Sequence, residues 1–279
     1  MNARRGDAAM EDPYVLAEAA AAVLKQKLGA DHHAAIVLGS GWGPAVDRIG
    51  ETVAEVPFAE IPGFPPTTVL GHKGVFRSVR AGDRRILVMA GRVHLYEGHP
   101  PAKVVHGVRS AVLAGTGIVI LTNACGGLRP GMTPGEPVLI RDHINFTGVS
   151  PLFGPNPDRL GPRFVDLTGC YSPRLRQAAQ ALDPTLTEGV YVGFPGPMFE
   201  TPAEIQMVGR WGGDMVGMST VLEAIAARHL GAEVLGLSLV TNLAAGLPGA
   251  DLDHHHILDV AKGTAERMGG LFHDLVRAI

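Results

Sequence analysis

The stretch AAIVLGSGWGPAVDR, residues 34–48, holds five consecutive apolar residues, Ala34–Leu38, that run straight into a glycine-rich turn. An uninterrupted apolar run of strand length reads as a strand buried on both faces, the kind found in sheets with helices packed on either side. The turn then leads toward a helix. A strand that ends in small residues before a helix marks an α/β fold, in which ligands collect at the carboxyl ends of strands.

Outward from that segment the pattern repeats. Candidate strands are Ala34–Leu38, Ile86–Met89, Ile118–Leu121, Val138–Ile140, Gly189–Val192, Asp214–Val216 and Val234–Val240. Asp12-Pro13 opens a helix whose apolar positions Leu16, Ala20, Val23 and Leu28 recur at helical spacing, and a second long stripe runs from Ile257 to Ile279. Between about Thr147 and Pro173 glycine and proline dominate, which predicts a long irregular excursion. With no internal repeat and no Ser/Gly linker, the expectation is a flexible tail over residues 1–12. Residues 13–279 then form a single three-layer α/β/α domain around a mixed, largely parallel sheet.

Composition narrows the function classes. The 279 residues are 46% hydrophobic and 18% charged, with 24 Lys+Arg against 27 Asp+Glu and a formal net charge of -3. Nothing in that balance favours a nucleic-acid partner. No apolar stretch is long enough to span a bilayer and no secretory core precedes Pro13, so a soluble cytoplasmic protein is expected. Two cysteines, Cys125 and Cys170, fit reduced buried thiols better than a disulfide framework or a metal cluster.

Most of the candidate strands run into chemistry-bearing residues. In GRVHLYEGH (91–99), Arg92, His94 and Tyr96 are two apart, so an extended chain would turn all three to one face. A guanidinium, an imidazole and a phenol together suit a small oxyanion such as phosphate. The turn at Gly39-Ser40-Gly41 fits the first two glycines of a dinucleotide fingerprint, but Pro44 takes the third position, which disfavours a nicotinamide cofactor. Its amides and the Ser40 hydroxyl could still close on one phosphate, although such turns also occur without a ligand. In FETPAE, Thr201, Pro202 and Glu204 read as a helix cap, which leaves Glu200 free to turn inward. In GMSTVLEA, Thr220 and Glu223 have the same capping spacing and set Ser219 just before a positive helix terminus.

The ordered set LGSGWG (38–43), GHKG (71–74), GRVHLYEGH (91–99), TNACGGL (122–128), RDHINFTG (141–148), GPMFETPAE (196–204), GMSTVLEAIAARH (217–229) and LSLVTNLAAG (237–246) resembles the trimeric purine nucleoside phosphorylase family. The resemblance implies phosphorolysis of inosine, guanosine and their deoxy forms without a cofactor, orthophosphate being a co-substrate that attacks C1′ with inversion. It assigns phosphate to Ser40, His72, Arg92, His94, Ser219 and the amide at Ala124. Ribose falls to Tyr96, Phe199, Met218 and His256, the last chosen from His254-His255-His256 by the family's spacing to Gly263. The purine falls to Glu200, Thr241 and Asn242, with Phe199 beside it. The resemblance gives catalytic roles to Asn242, Glu200, His94 and His256, and it matches Phe164 to an aromatic residue lent by a neighbouring subunit of a homotrimer. Trp42, Cys125 and Leu222 depart from the family's smaller residues or proline. A 5′-methylthioadenosine phosphorylase is the nearest alternative and should carry an acidic group where Asn242 stands. A nucleoside hydrolase would not need Ser40, Arg92 and Ser219 together.

Overall fold

A computed structural model of the chain describes residues 12–40, 42–65 and 74–279, without the side chains of residues 254–258. The strands in these residues are β1 (Ala34–Leu38), β2 (Glu51–Pro57), β3 (Val75–Ala81), β4 (Arg84–Ala90), β5 (Ile118–Gly127), β6 (Pro137–Asn145), β7 (Thr187–Gly193), β8 (Met215–Gly217) and β9 (Glu233–Leu243). They join in the order β2-β3-β4-β1-β5-β8-β7-β6-β9, and β9 pairs with β5 as well. That extra pairing closes β5, β8, β7, β6 and β9 into a small barrel, from which β1, β4, β3 and β2 extend as an open wing. The sheet is mixed: β1·β4, β1·β5, β5·β9, β6·β7 and β7·β8 are parallel, while β2·β3, β3·β4, β5·β8 and β6·β9 are antiparallel.

Strand alternation feeds two cores. From β1, Ala35 and Val37 enter one cluster, while Ala34, Ile36 and Leu38 enter the other; β4 and β5 divide in the same way. The first cluster is covered by α1 (Pro13–Leu28), α4 (His106–Leu113) and α7 (Val221–His229), which contribute Leu24, Val108 and Ile225. The second is covered by α2 (Val46–Ile49), α5 (Pro173–Leu182) and α8 (His254–Ala278), which contribute Ile49, Leu175 and Phe272. The result is the three-layer α/β/α arrangement. Short α3 (Pro101–Val104) and α6 (Pro202–Arg210) complete the helices. No described helix is long and apolar enough to cross a membrane.

Several boundaries differ from the sequence reading. Strands β5 and β9 run on through Thr122–Gly127 and Thr241–Leu243, so residues expected just past a strand end lie within one. Asp214 precedes β8 and instead accepts from the Val190 N–H at 2.8 Å. The pair β2 and β3 escaped notice because it carries polar residues at the sheet margin, where Arg77 pairs with Glu55 and Arg80 with Glu51. Asp12, assigned to the tail, is the N-cap of α1 and accepts from the Tyr14 N–H at 2.8 Å; the rest of that tail lies outside the described residues.

The irregular excursion is present between Phe146 and Ser172. It is tied to the helical layer by Arg109, which donates to the Pro151 carbonyl at 2.7 Å and to the Tyr14 hydroxyl at 3.1 Å, and stands 4.2 Å over the Tyr14 ring. A second tie joins His229 Nε2 to Asn156 Oδ1 at 3.0 Å.

Burial also leaves a titratable signature. His106 is 2% exposed, donates from Nε2 to the Pro62 carbonyl at 2.8 Å, and has its pKa lowered from 6.5 to about 4 by desolvation. The folded chain keeps this ring neutral where the unfolded chain protonates it, so its contribution is intact above pH 6.5 and is lost as pH falls toward 4. Within that window His106 should cost about 1.4 kcal/mol of stability per pH unit. His32 is lowered over the same window, to about 4, so denaturant unfolding at a series of pH values should show both contributions, and His106→Gln should reduce the slope by about 1.4 kcal/mol per pH unit; a slope unchanged by the replacement would remove His106 from that role.

Candidate active site

A cavity of about 360 Å³ opens at the carboxyl ends of the central strands. Ser40 comes from the turn after β1, and Arg92, His94 and Tyr96 from the segment after β4. Asn123, Ala124, Cys125 and Gly126 come from β5, Phe199 and Glu200 from the loop between β7 and α6, Met218 and Ser219 from the turn after β8, and Thr241 and Asn242 from β9. Eleven residues assigned by resemblance therefore share one cavity wall: Ser40, Arg92, His94, Tyr96, Ala124, Phe199, Glu200, Met218, Ser219, Thr241 and Asn242.

At one end lies a buried cation. Arg92 is 1% exposed; its Nη1 donates to the Thr122 carbonyl at 2.5 Å and approaches Ser219 Oγ at 3.4 Å. Its Nε and Nη2 face Glu223 at 3.3 and 3.1 Å. The turn that carries Ser40 is packed closely. A Cβ on Gly39 would meet the Thr122 carbonyl at 2.9 Å and Arg92 Nη1 at 3.1 Å, so glycine is required there. Behind it, Trp42 stacks on Phe272 and donates to the Asn123 carbonyl at 3.2 Å, which accounts for that departure as packing.

The two-residue spacing of Arg92, His94 and Tyr96 does not reflect an extended strand. Strand β4 ends at Ala90, Gly91 takes a φ of 121°, and Leu95–Glu97 form a single 3₁₀ turn. Glu97 drives the curl by accepting from the His94 backbone N–H at 2.7 Å and from Nδ1 at 3.1 Å. The same bond places the ring proton on Nδ1. His94 and Tyr96 then stack with centroids 4.6 Å apart, and both reach the cavity. Burial lowers the His94 pKa, against the hydrogen bond that its ring donates to Glu97, and pushes the Tyr96 phenol up to about 12.

At the other end the groups are an acid and an amide. Glu200 is 8% exposed, its Oε1 is buried with no hydrogen-bond partner among the described residues, and desolvation raises its pKa. A buried acceptor in that state is suited to a ligand donor. Asn242 is oriented by its neighbours: Oδ1 accepts from the Thr241 hydroxyl at 3.0 Å, and Nδ2 donates one of its two protons to the Leu243 carbonyl at 3.0 Å. Thr241 is the extra residue of a β-bulge, since Cys125 pairs with Val240 and Gly126 with Asn242. The bulge explains how two successive residues of one strand both face the cavity.

Other expectations fall elsewhere. His72 and the His256 side chain lie outside the described residues. Phe164 is 89% exposed on the excursion and does not line the cavity of its own chain. Sequence reasoning missed Gly126, Val216 and Leu252 as lining residues, and it read Glu223 only as a helix cap. The apolar pair carried no chemical signal. Glu97 and Glu223, in contrast, lie within the quoted motifs, where a buried cation and an imidazole called for acidic partners. Among the described residues no group of three or more His, Cys, Asp or Glu could hold a metal ion.

Comparison with known proteins agrees with this geometry. Residues 33–277 match the model of the phosphorylase superfamily. The purine nucleoside phosphorylase of Mycobacterium tuberculosis is 54% identical over 266 residues, covering 95% of this chain and 97% of the relative. Purine nucleoside phosphorylase 1 of Geobacillus stearothermophilus is 42% identical, covering 94% and 95%. Among solved structures, isoform 2 of the Schistosoma mansoni purine nucleoside phosphorylase, in complex with cytosine and ribose-1-phosphate, superposes with a TM-score of 0.86 at 37% identity, covering 94% of this chain and 96% of that one. With its motifs, its fold and its cavity in agreement, the chain belongs to the phosphorylase superfamily and, within it, to the purine nucleoside phosphorylases.

Proposed function

We propose that the chain catalyses the reversible phosphorolysis of 6-oxopurine nucleosides, converting inosine, guanosine or their 2′-deoxy forms and orthophosphate to the free base and α-(deoxy)ribose 1-phosphate. The observation that carries this reading is the course of β5 along the cavity. Arg92 donates to Thr122 at one end, and Asn242 pairs with Gly126 at the other. Four strand residues at about 3.3 Å each give roughly 13 Å from the cationic end to the amide end, room for a phosphate beneath a ribose and a base beyond it.

In this reading Arg92, Ser40, His94, Ser219 and the Ala124 amide hold orthophosphate, and the family resemblance adds His72 to that set. Stacked Tyr96, Met218 and Phe199 line the ribose, and His256 meets the 5′-hydroxyl. The bound phosphate oxygen attacks C1′ from the face opposite the base, the C1′–N9 bond breaks, and its electron pair leaves with the purine. Asn242 donates its second Nδ2 proton to the N7 side of the leaving base, where negative charge builds, and Glu200 accepts from N1–H. Holding both reactants in line supplies much of the acceleration, and no covalent enzyme intermediate is needed. Neutral Asn242 favours 6-oxopurines over the 6-aminopurine of methylthioadenosine. The setting that fits is a cytoplasmic homotrimer serving nucleoside salvage, with Phe164 lent to the neighbouring site. Exposed Phe164 and Phe153, both on the anchored excursion, support that assembly.

The reaction should require phosphate and no metal. Inosine cleavage followed by hypoxanthine release should stop without phosphate and continue in EDTA; cleavage by water alone, or loss with chelator, would overturn the mechanism.

Base choice should rest on Asn242. Asn242→Asp should lower inosine turnover by about 10²–10³ and raise the relative use of adenosine, because a carboxylate accepts from a 6-amino group and repels a 6-oxo oxygen. An unchanged inosine-to-adenosine ratio would remove Asn242 from that role.

Intersubunit sharing can be read by mixing. Phe164→Ala chains reassembled with Asn242→Ala chains should show activity above the sum of the two parents, since some mixed sites then carry neither defect. Strictly additive activity, or a fully active monomer by light scattering, would count against a shared site.

A further inference from the structure

Glu223 sets a puzzle for a site that takes an anion. Its side chain is 2% exposed and lies against Arg92, so it places a buried negative charge beside the very cation that should receive phosphate. If charge alone governed that end of the cavity, a carboxylate would be the wrong group.

Geometry resolves the puzzle. The carboxylate grips Arg92 side-on, through Nε at 3.3 Å and Nη2 at 3.1 Å, which leaves Nη1 toward the Thr122 carbonyl and Ser219 Oγ. It also accepts from the Thr220 backbone N–H at 3.1 Å. Thr220 is strained: its φ is 72°, and the Val221 N–H bonds back to the Ser219 carbonyl at 2.7 Å, closing a γ-turn on a β-branched residue. Such a conformation persists only where its surroundings fix it. Here Glu223 holds its amide and Asn123 Nδ2 holds its hydroxyl at 2.9 Å. One carboxylate thus fixes both the guanidinium from the β4 side and the turn that carries Ser219.

We infer that Glu223 is a positioning residue for phosphate, setting the Arg92 guanidinium and the Ser219 hydroxyl in one fixed relation; this rests on the phosphorolytic reading above. The alternative role, simple neutralisation of Arg92 in the empty pocket, makes the opposite prediction. Removing the charge would then strengthen phosphate binding.

The test is steady-state phosphorolysis with inosine and phosphate varied in turn. Glu223→Gln keeps the shape but directs an amide N–H at one of the donors, so the phosphate KM should rise about 10-fold or more while the inosine KM stays within about twofold. Glu223→Asp keeps the charge but loses one methylene of reach, and it should also raise the phosphate KM. A phosphate KM that is unchanged or lower in Glu223→Gln, or equal rises for both substrates, overturns the inference. If circular dichroism and melting show that the Gln variant does not fold, Glu223→Asp decides, and a wild-type phosphate KM in it overturns the inference. Wild-type enzyme that cleaves inosine without phosphate refutes the parent reading instead, so the two failures are distinct.

Discussion

A guanidinium that is 1% exposed cannot stand unaccompanied, and the demands of Arg92 organise the centre of this molecule. A buried charge without partners costs several kcal/mol, whereas one held by a carboxylate and a carbonyl keeps a single orientation. Supplying those partners draws together β4, β5 and α7, which lie far apart in sequence. The Thr122 carbonyl is offered because β5 continues past the body of the sheet, and Gly39 is bare because any side chain there would press on the same group. The same demand draws in the N-terminus of α7, where the capping carboxylate also serves as counter-ion.

Closure of the barrel is what makes room for the cavity beside that centre. Strand β5 joins the wing, through β1, to the ring, where it pairs with β9, so the carboxyl ends of β5 and β9 meet the β8 turn and the loop after β7 at one place. Two cores on opposite faces of the sheet pack this frame, and the site residues come either from the strands themselves, as Asn123–Gly126 and Thr241–Asn242 do, or from the segments that follow them.

Much of this was legible in the sequence because it follows from local rules. Uninterrupted apolar runs gave the positions of β1 and β4 to within a few residues, and Thr201 with Glu204 and Thr220 with Glu223 marked the starts of α6 and α7 correctly. The edge strand β2 and its neighbour β3 were not legible, because β2 is largely exposed and polar residues such as Glu51, Arg77 and Arg80 break up the apolar runs. Strand closure, the bulge at Thr241 and the curl imposed by Glu97 depend on partners distant in the chain or on a single carboxylate, and no periodicity reports them. For the site, the polar lining residues could be read from motifs, while Val216 and Leu252 became visible only once the strands were placed.

The bulge in β9 gives the orientation of Asn242 an unusual physical basis. Side chains on a strand alternate, so one residue more or fewer ahead of Asn242 would turn its amide from the cavity into the packed layer behind it. Thr241 is that one residue, and its hydroxyl also orients the amide it displaces. Whether the Asn242 amide faces the cavity is therefore a matter of counting as well as of chemistry. The identity of the side chain at position 242 can be exchanged within an intact frame, but the number of residues between Val240 and Leu243 cannot.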